Sequence, residues 1–183
     1  MVDLHSGMLL VASPILSDSN FFRSVVLLLD HDDDGSVGVV LDRPLELEVR
    51  DHIPVWSDYL APPMLVFDGG PVQPETAIGV AWRPGIEAAA AWQPTVDGVG
   101  FIDVSLDPDD VIGVEKLRVF SGYAGWGAGQ LEMELGIWSW FPVEGSSEDV
   151  FDADPATLWR RVLLRQEPHI ARYANYPIDP RSN

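Results

Sequence analysis

Asp30, Asp32 and Asp34 stand ahead of Gly35 at positions one, three, five and six of a calcium loop, where alternating carboxylates and a glycine bend wrap hard oxygen ligands around an ion. Position twelve of such a loop is a bidentate glutamate. Here it is Leu41, and both flanks read as strands rather than helices. The run is therefore first a solvated hairpin turn and only secondarily a metal site. The histidines at 5, 31, 52 and 169 have no partner at ligand spacing, and no serine sits in a G-x-S-x-G elbow. The chain contains no cysteine, which removes thiolate nucleophiles, zinc–thiolate sites and disulfides together. No catalytic residue, metal or cofactor is assigned.

A second kind of chemistry is anion binding. Gly122, Gly125, Gly127 and Gly129 crowd a short stretch with Tyr123 and Trp126 between them, and each glycine would cost about 0.5–1 kcal/mol inside regular structure. The stretch reads as a shaped loop feeding a short helix that begins near Gln130 and stops at Gly136. Backbone N–H groups of Gly125-x-Gly127-x-Gly129 at a helix start can face an anion. No lysine follows, however, and Glu132 and Glu134 oppose a phosphate. Arg23 and Arg43 each border an apolar run, where a cation needs a partner. Asp42 and Asp68 also lie at strand ends, so this cluster is either internal ion pairing or a ligand surface. The candidate surface comprises Arg23, Asp42, Arg43, Gly69, Gly70, Tyr123, Trp126, Gly129 and Gln130.

The elements that must position these groups are mostly strands. Met8 to Ala12, Ser24 to Leu29 and Val37 to Leu41 are short apolar runs bounded by turn residues, the last two joined by the acidic turn as a hairpin. Leu65 to Phe67, Ala77 to Trp82, Val99 to Val104, Glu115 to Phe120 and Ile137 to Phe141 read as further strands. Helical turns are expected at Asp18 to Phe22, ahead of Pro54, and after Asp107-Pro108. A longer helix after Asp154-Pro155 puts Leu158, Trp159, Val162 and Leu163 on one face. Glu144 to Asp152 reads as a mobile loop, and the tail from about residue 168 as irregular. Whether Trp138 and Trp140 are core or exposed stays open.

At 183 residues the chain is long enough for one domain and marginal for two, so a single domain over 1–183 is expected. No signal-peptide pattern or apolar run of membrane length is present, which points to a cytoplasmic protein. Eleven Lys and Arg against 29 Asp and Glu give a formal charge of −18. A polyanion such as DNA, or an anionic membrane, is repelled by such a surface. Strands outnumber helices without alternating with them, which indicates an α+β class.

Six strings in order strengthen this reading: Gly7-Met8-Leu9-Leu10-Val11-Ala12-Ser13-Pro14, Phe22-Arg23-Ser24-Val25-Val26, His31 through Gly35, Gly38-Val39-Val40-Leu41-Asp42-Arg43-Pro44, Gly69-Gly70-Pro71-Val72, and Gly122-Tyr123-Ala124-Gly125-Trp126 with Gly129-Gln130-Leu131-Glu132. Together they resemble the AlgH (YqgE) family from about residue 6 to 165. The resemblance implies a single α+β domain in a cytoplasmic bacterial protein, with a mixed, largely antiparallel, partly barrel-like sheet flanked by a few helices. It also carries a label of transcriptional regulation, without an established reaction. The family's usual Asn-Arg-Pro is Asp42-Arg43-Pro44 here, and its Leu-His after the Gly-Gly-Pro-Val strand is Ala81-Trp82. The leading functional expectation is a non-enzymatic regulatory or adaptor protein that binds a protein or small ligand near Arg43, Gly70 and Trp126. Direct DNA binding through Arg160, Arg161, Arg165 and Arg172 is one alternative, and a hydrolase of unknown substrate is another.

Overall fold

A computed structural model describes residues 3–88 and 92–178. Nine strands form one mixed sheet: β1 (Met8–Ala12), β2 (Val25–Asp32), β3 (Gly35–Val40), β4 (Pro44–Glu48), β5 (Leu65–Asp68), β6 (Val72–Trp82), β7 (Val99–Ile102), β8 (Lys116–Gly127) and β9 (Trp140–Glu144). Their order is β4-β5-β8-β3-β2-β1-β9, with the β6–β7 ribbon joined to β8. Among the described strands β5 and β8 pair in parallel and the other strand pairs are antiparallel. β4 and β9 do not pair with each other, so the mixed, largely antiparallel sheet is open.

Side-chain alternation divides the core cleanly. On one face Leu9, Val11, Val25, Leu27, Val39, Phe67, Val80, Phe120, Phe141 and Val143 make a continuous cluster. The same cluster takes in Leu158, Trp159, Val162 and Leu163 of α3 (Leu158–Leu164), each buried side chain contributing about 1.5–3 kcal/mol. The opposite face holds two clusters. Met8, Leu10, Val26, Leu28, Val40, Ala124, Trp126 and Trp140 pack with Leu131 of α1 (Gln130–Gly136). Val49, Trp56, Leu60, Leu117 and Val119 form the other, beneath two 3-10 turns at Val49–Asp51 and Pro54–Tyr59.

The glycine-rich stretch is strand rather than loop. β8 runs on through Gly122, Gly125 and Gly127 and changes neighbours as it goes: Val119 to Ser121 lie beside β5, and Ala124 to Gly127 beside β3. The change is made at Gly122, whose φ of 71° only glycine adopts without strain. The β6–β8 register shifts across the same place, from Ala77↔Ser121 to Val72↔Tyr123. This bulge reverses the alternation, so Phe120 and Tyr123 share a face while Trp126 goes to the other.

Other local readings differ from expectation for identifiable reasons. The segment ahead of Pro54 is the edge strand β4 followed by a 3-10 turn, because Leu65 and Phe67 of β5 offer Pro44 and Glu48 a ladder. Glu144 to Asp152 is ordered: Ser146 and Asp149 form a capping box that opens α2 (Ser147–Val150). Residues 18–22 make turns without a helix, and Ile137 to Ser139 form the turn between α1 and β9 rather than the start of the strand. Where an irregular tail is expected, α4 (Pro168–Ala171) and a 3-10 turn (Arg172–Asn175) pack Ile170, Tyr173 and Ala174 on the first core. Trp140 is core; Trp138 is 66% exposed with φ 62°.

Candidate functional site

The sheet face that carries α3 is longer than the helices that cover it. Past them, Leu29, Ile78 and Tyr123 floor a cavity of about 480 Å3, and Val37, Gln93, Thr95, Phe101 and Asp30 complete its lining. None of these lining residues belongs to a helix. Alternation explains the composition, since Val37 follows the inward direction of Val39, and Phe101 that of Val99. With no described helix over them, Phe101 is 53% and Val37 37% exposed. Tyr123 reaches this face only because of the bulge at Gly122. The volume suits one or two large side chains.

A smaller notch of about 210 Å3 adjoins the groove across the β2–β3 hairpin, lined by Asp30, Asp32, Asp34, Gly35, Ser36, Val37 and Trp126. Asp30 and Val37 are cross-strand partners and belong to both concavities. Asp32 Oδ1 accepts from the backbone N–H of Asp34 at 2.8 Å and of Gly35 at 3.2 Å, which makes the acidic run a hairpin turn. Among the described residues no group of three or more acidic or imidazole side chains is arranged to hold a metal ion.

Of the remaining sequence candidates Trp126 lines the notch, the others lie elsewhere, and most face inward. Trp126 is 6% exposed and donates from its indole to Glu134 Oε2 at 3.0 Å, as Trp140 does to the same oxygen at 2.8 Å. Phe21 stacks on Trp126 and meets Trp140 edge-on. Gln130 accepts from Gly127 N–H at 3.1 Å and donates to Glu134 Oε1 at 3.0 Å, so the supposed anion nest is closed by its own helix. Gly129 is exposed, with φ 71°, at the head of a seven-residue helix. Gly69 and Gly70 are buried and serve backbone contact. A Cβ on Gly69 would lie 2.2 Å from Gly122 O, and one on Gly70 2.4 Å from the Tyr123 carbonyl.

Arg43 donates to the carbonyls of Ser19 at 2.9 Å and Phe22 at 3.0 Å, tying residues 19–22 to the end of β3. Arg23 donates to the Tyr176 carbonyl and lies 4.8 Å from the centre of the Trp159 ring. Asp42 accepts from Val25 N–H at 3.2 Å. Burial pushes its carboxyl up to about 7, against the opposing pulls of that N–H and of the Arg43 charge. Arg23 and Arg43 thus tether residues 19–22 and Tyr176 beside Asp42 at the end of β3.

Sequence reasoning passed over a more deeply buried cation. Arg118, 2% exposed, donates to the carbonyls of Val150 at 2.9 Å, Asp152 at 3.1 Å and Pro62, and stacks over Phe67. Burial pulls it down to about 10, with Asp152 acting in the other direction. Its position in the middle of the apolar string Leu117-Arg118-Val119 was the available signal. Phe101 and Val37 carried none, because exposed and core positions of a strand look alike until the covering element is known.

The arginines of the basic C-terminal segment are also engaged. Arg165 grips Asp149 through both terminal nitrogens at 2.6 and 2.7 Å, Arg161 pairs with Asp152, Arg160 donates to Asn175 and Arg172 to Tyr173.

Residues 9–171 match the sequence model of the family described as AlgH-like. The chain belongs to the AlgH-like family. UPF0301 proteins of Streptomyces avermitilis and Streptomyces coelicolor are each 46% identical to it, over 97% of this chain and 95% of theirs. A crystal structure of a Corynebacterium diphtheriae protein superposes with a TM-score of 0.89 at 27% identity, covering 96% of this chain and 94% of that one. The solution structure of the AlgH protein from Pseudomonas aeruginosa gives a TM-score of 0.62 at 28% identity, over 85% and 87% of the two chains. Among the described residues no helix is long and apolar enough to cross a membrane.

Proposed function

We propose that this AlgH-like chain is a non-enzymatic adaptor that binds another protein through the uncovered end of its first core face. The observation that carries this reading is the groove itself: an apolar floor of Leu29, Ile78 and Tyr123 with Phe101 and Val37 held at the surface. Exposed apolar area of this kind, rimmed by polar groups, is characteristic of interaction sites. Direct DNA binding is disfavoured by the charge of −18 and by the internal engagement of Arg160, Arg161, Arg165 and Arg172.

The test is cross-linked affinity capture from producing cells with three baits: wild type, Phe101→Asp, and Met133→Gln on α1. A partner held by the wild type and Met133→Gln but lost from Phe101→Asp is the expected result. Equal capture by all three baits rules the groove out as the docking site.

A further inference from the structure

We infer that the occupant of the groove is a cationic protein segment that pairs an apolar anchor with one or more Arg or Lys side chains a few residues away. This rests on the docking reading above and adds the chemistry of the partner. Groove and notch meet along Asp30 and Val37, so a chain seated in the first can extend into the second. The groove accepts an aromatic or branched aliphatic side chain beside Phe101 and Tyr123. The notch presents Asp30, Asp32 and Asp34, with Asp33 exposed at the same hairpin tip. Neither lining contains an arginine or lysine, and among the described residues none of the four aspartates is ion-paired.

This hairpin therefore differs from the acidic positions near the C-terminus, where Asp149 and Asp152 are matched by Arg165 and Arg161. Uncompensated carboxylates beside an apolar cavity complement a basic amphipathic segment and reject an acidic one. The overall charge adds long-range attraction for the same partner. A bare apolar peptide fills only half of the surface, and a polyanion is repelled by the other half.

Selection of a random twelve-residue peptide library on the full-length chain tests this directly. Enriched peptides are synthesised with a fluorescent label and titrated by anisotropy against wild type, Phe101→Asp and the double variant Asp32→Asn/Asp34→Asn. All the substituted side chains are exposed, and the amide oxygen that Asp32→Asn introduces still accepts the turn N–H groups, so both variants keep the fold. The expected winners place Arg or Lys near an aromatic residue or leucine. Their affinity falls at least about tenfold in Phe101→Asp, falls about three- to tenfold in the double variant, and weakens as salt is raised from about 50 to 300 mM. Winners that lack basic residues but still require Phe101 overturn the charge inference and leave the groove reading intact. Winners indifferent to Phe101, or no enrichment, overturn both.

Discussion

Asp42 is a carboxyl whose surroundings keep it neutral, like an amide. Burial raises it to about 7, so the folded state keeps a proton that the unfolded chain releases in the ordinary carboxylate range. The sign follows: this group's stabilisation is complete at low pH and is lost as pH rises through 7. Asp42→Asn should remove that loss: its advantage over wild type should be absent below about pH 4, grow between about pH 4 and 7, and level off at a few kcal/mol above about pH 7, as measured by urea unfolding across that range. The two arginines differ in how deeply their carbonyl partners lie, those of Arg43 being exposed and those of Arg118 buried or half-buried. Arg43→Ala deprives two carbonyls of donors and should cost about 1–2 kcal/mol. Arg118→Ala deprives three and leaves a cavity under Phe67, costing about 3 kcal/mol or more, roughly 6–12 °C in melting temperature. A calorimetric scan that ranks Arg43 above Arg118 would contradict this assignment. The sequence made Arg43 conspicuous through its string; Arg118 stood between two apolar residues, but the depth of its burial depends on α2 and Pro62 arriving from elsewhere.

At the scale of elements, β8 organises the molecule and its glycines divide into two kinds. Gly122 bulges where a Cβ would stand 2.6 Å from Gly70 O, whereas Gly127 has open space around it. Gly122→Ala should therefore cost more than about 2 kcal/mol and disturb Tyr123, while Gly127→Ala should be neutral or slightly stabilising; paired thermal melts distinguish the two. The apolar runs of β1, β2 and β3, the helix of Leu158 and Trp159, and the turn at Asp32 to Gly35 were all legible, since each is fixed by local pattern. The continuation of β8 through the glycines was not. Glycine ordinarily ends a strand, and only the close passage of Gly69 and Gly70 makes its lack of a side chain necessary there. Pro142 was expected to end a strand and instead sits within β9, where the outer edge of the sheet needs no donor from it.

Over the whole molecule, the fold class was readable from the order and length of apolar runs, but the candidate site was readable only at Tyr123, Trp126 and the acidic hairpin. Phe101, Val37 and Leu29 become a site because the C-terminal helices stop short, and where one element ends over another is a tertiary fact without a local pattern. The net charge, by contrast, needs no structure: a gel shift with a pool of genomic fragments at about 50 mM salt should show no retarded band. Everything functional proposed for this chain turns on partners binding at the uncovered end of the sheet face. Hydrogen exchange of the full-length chain, with and without the tightest peptide selected on it, measures this most directly. Slowed exchange confined to the backbone around Leu29 to Val37, Phe101 and Tyr123 is the predicted result; protection centred on α3 and α4, or on the tether of Arg23 and Arg43, would contradict it.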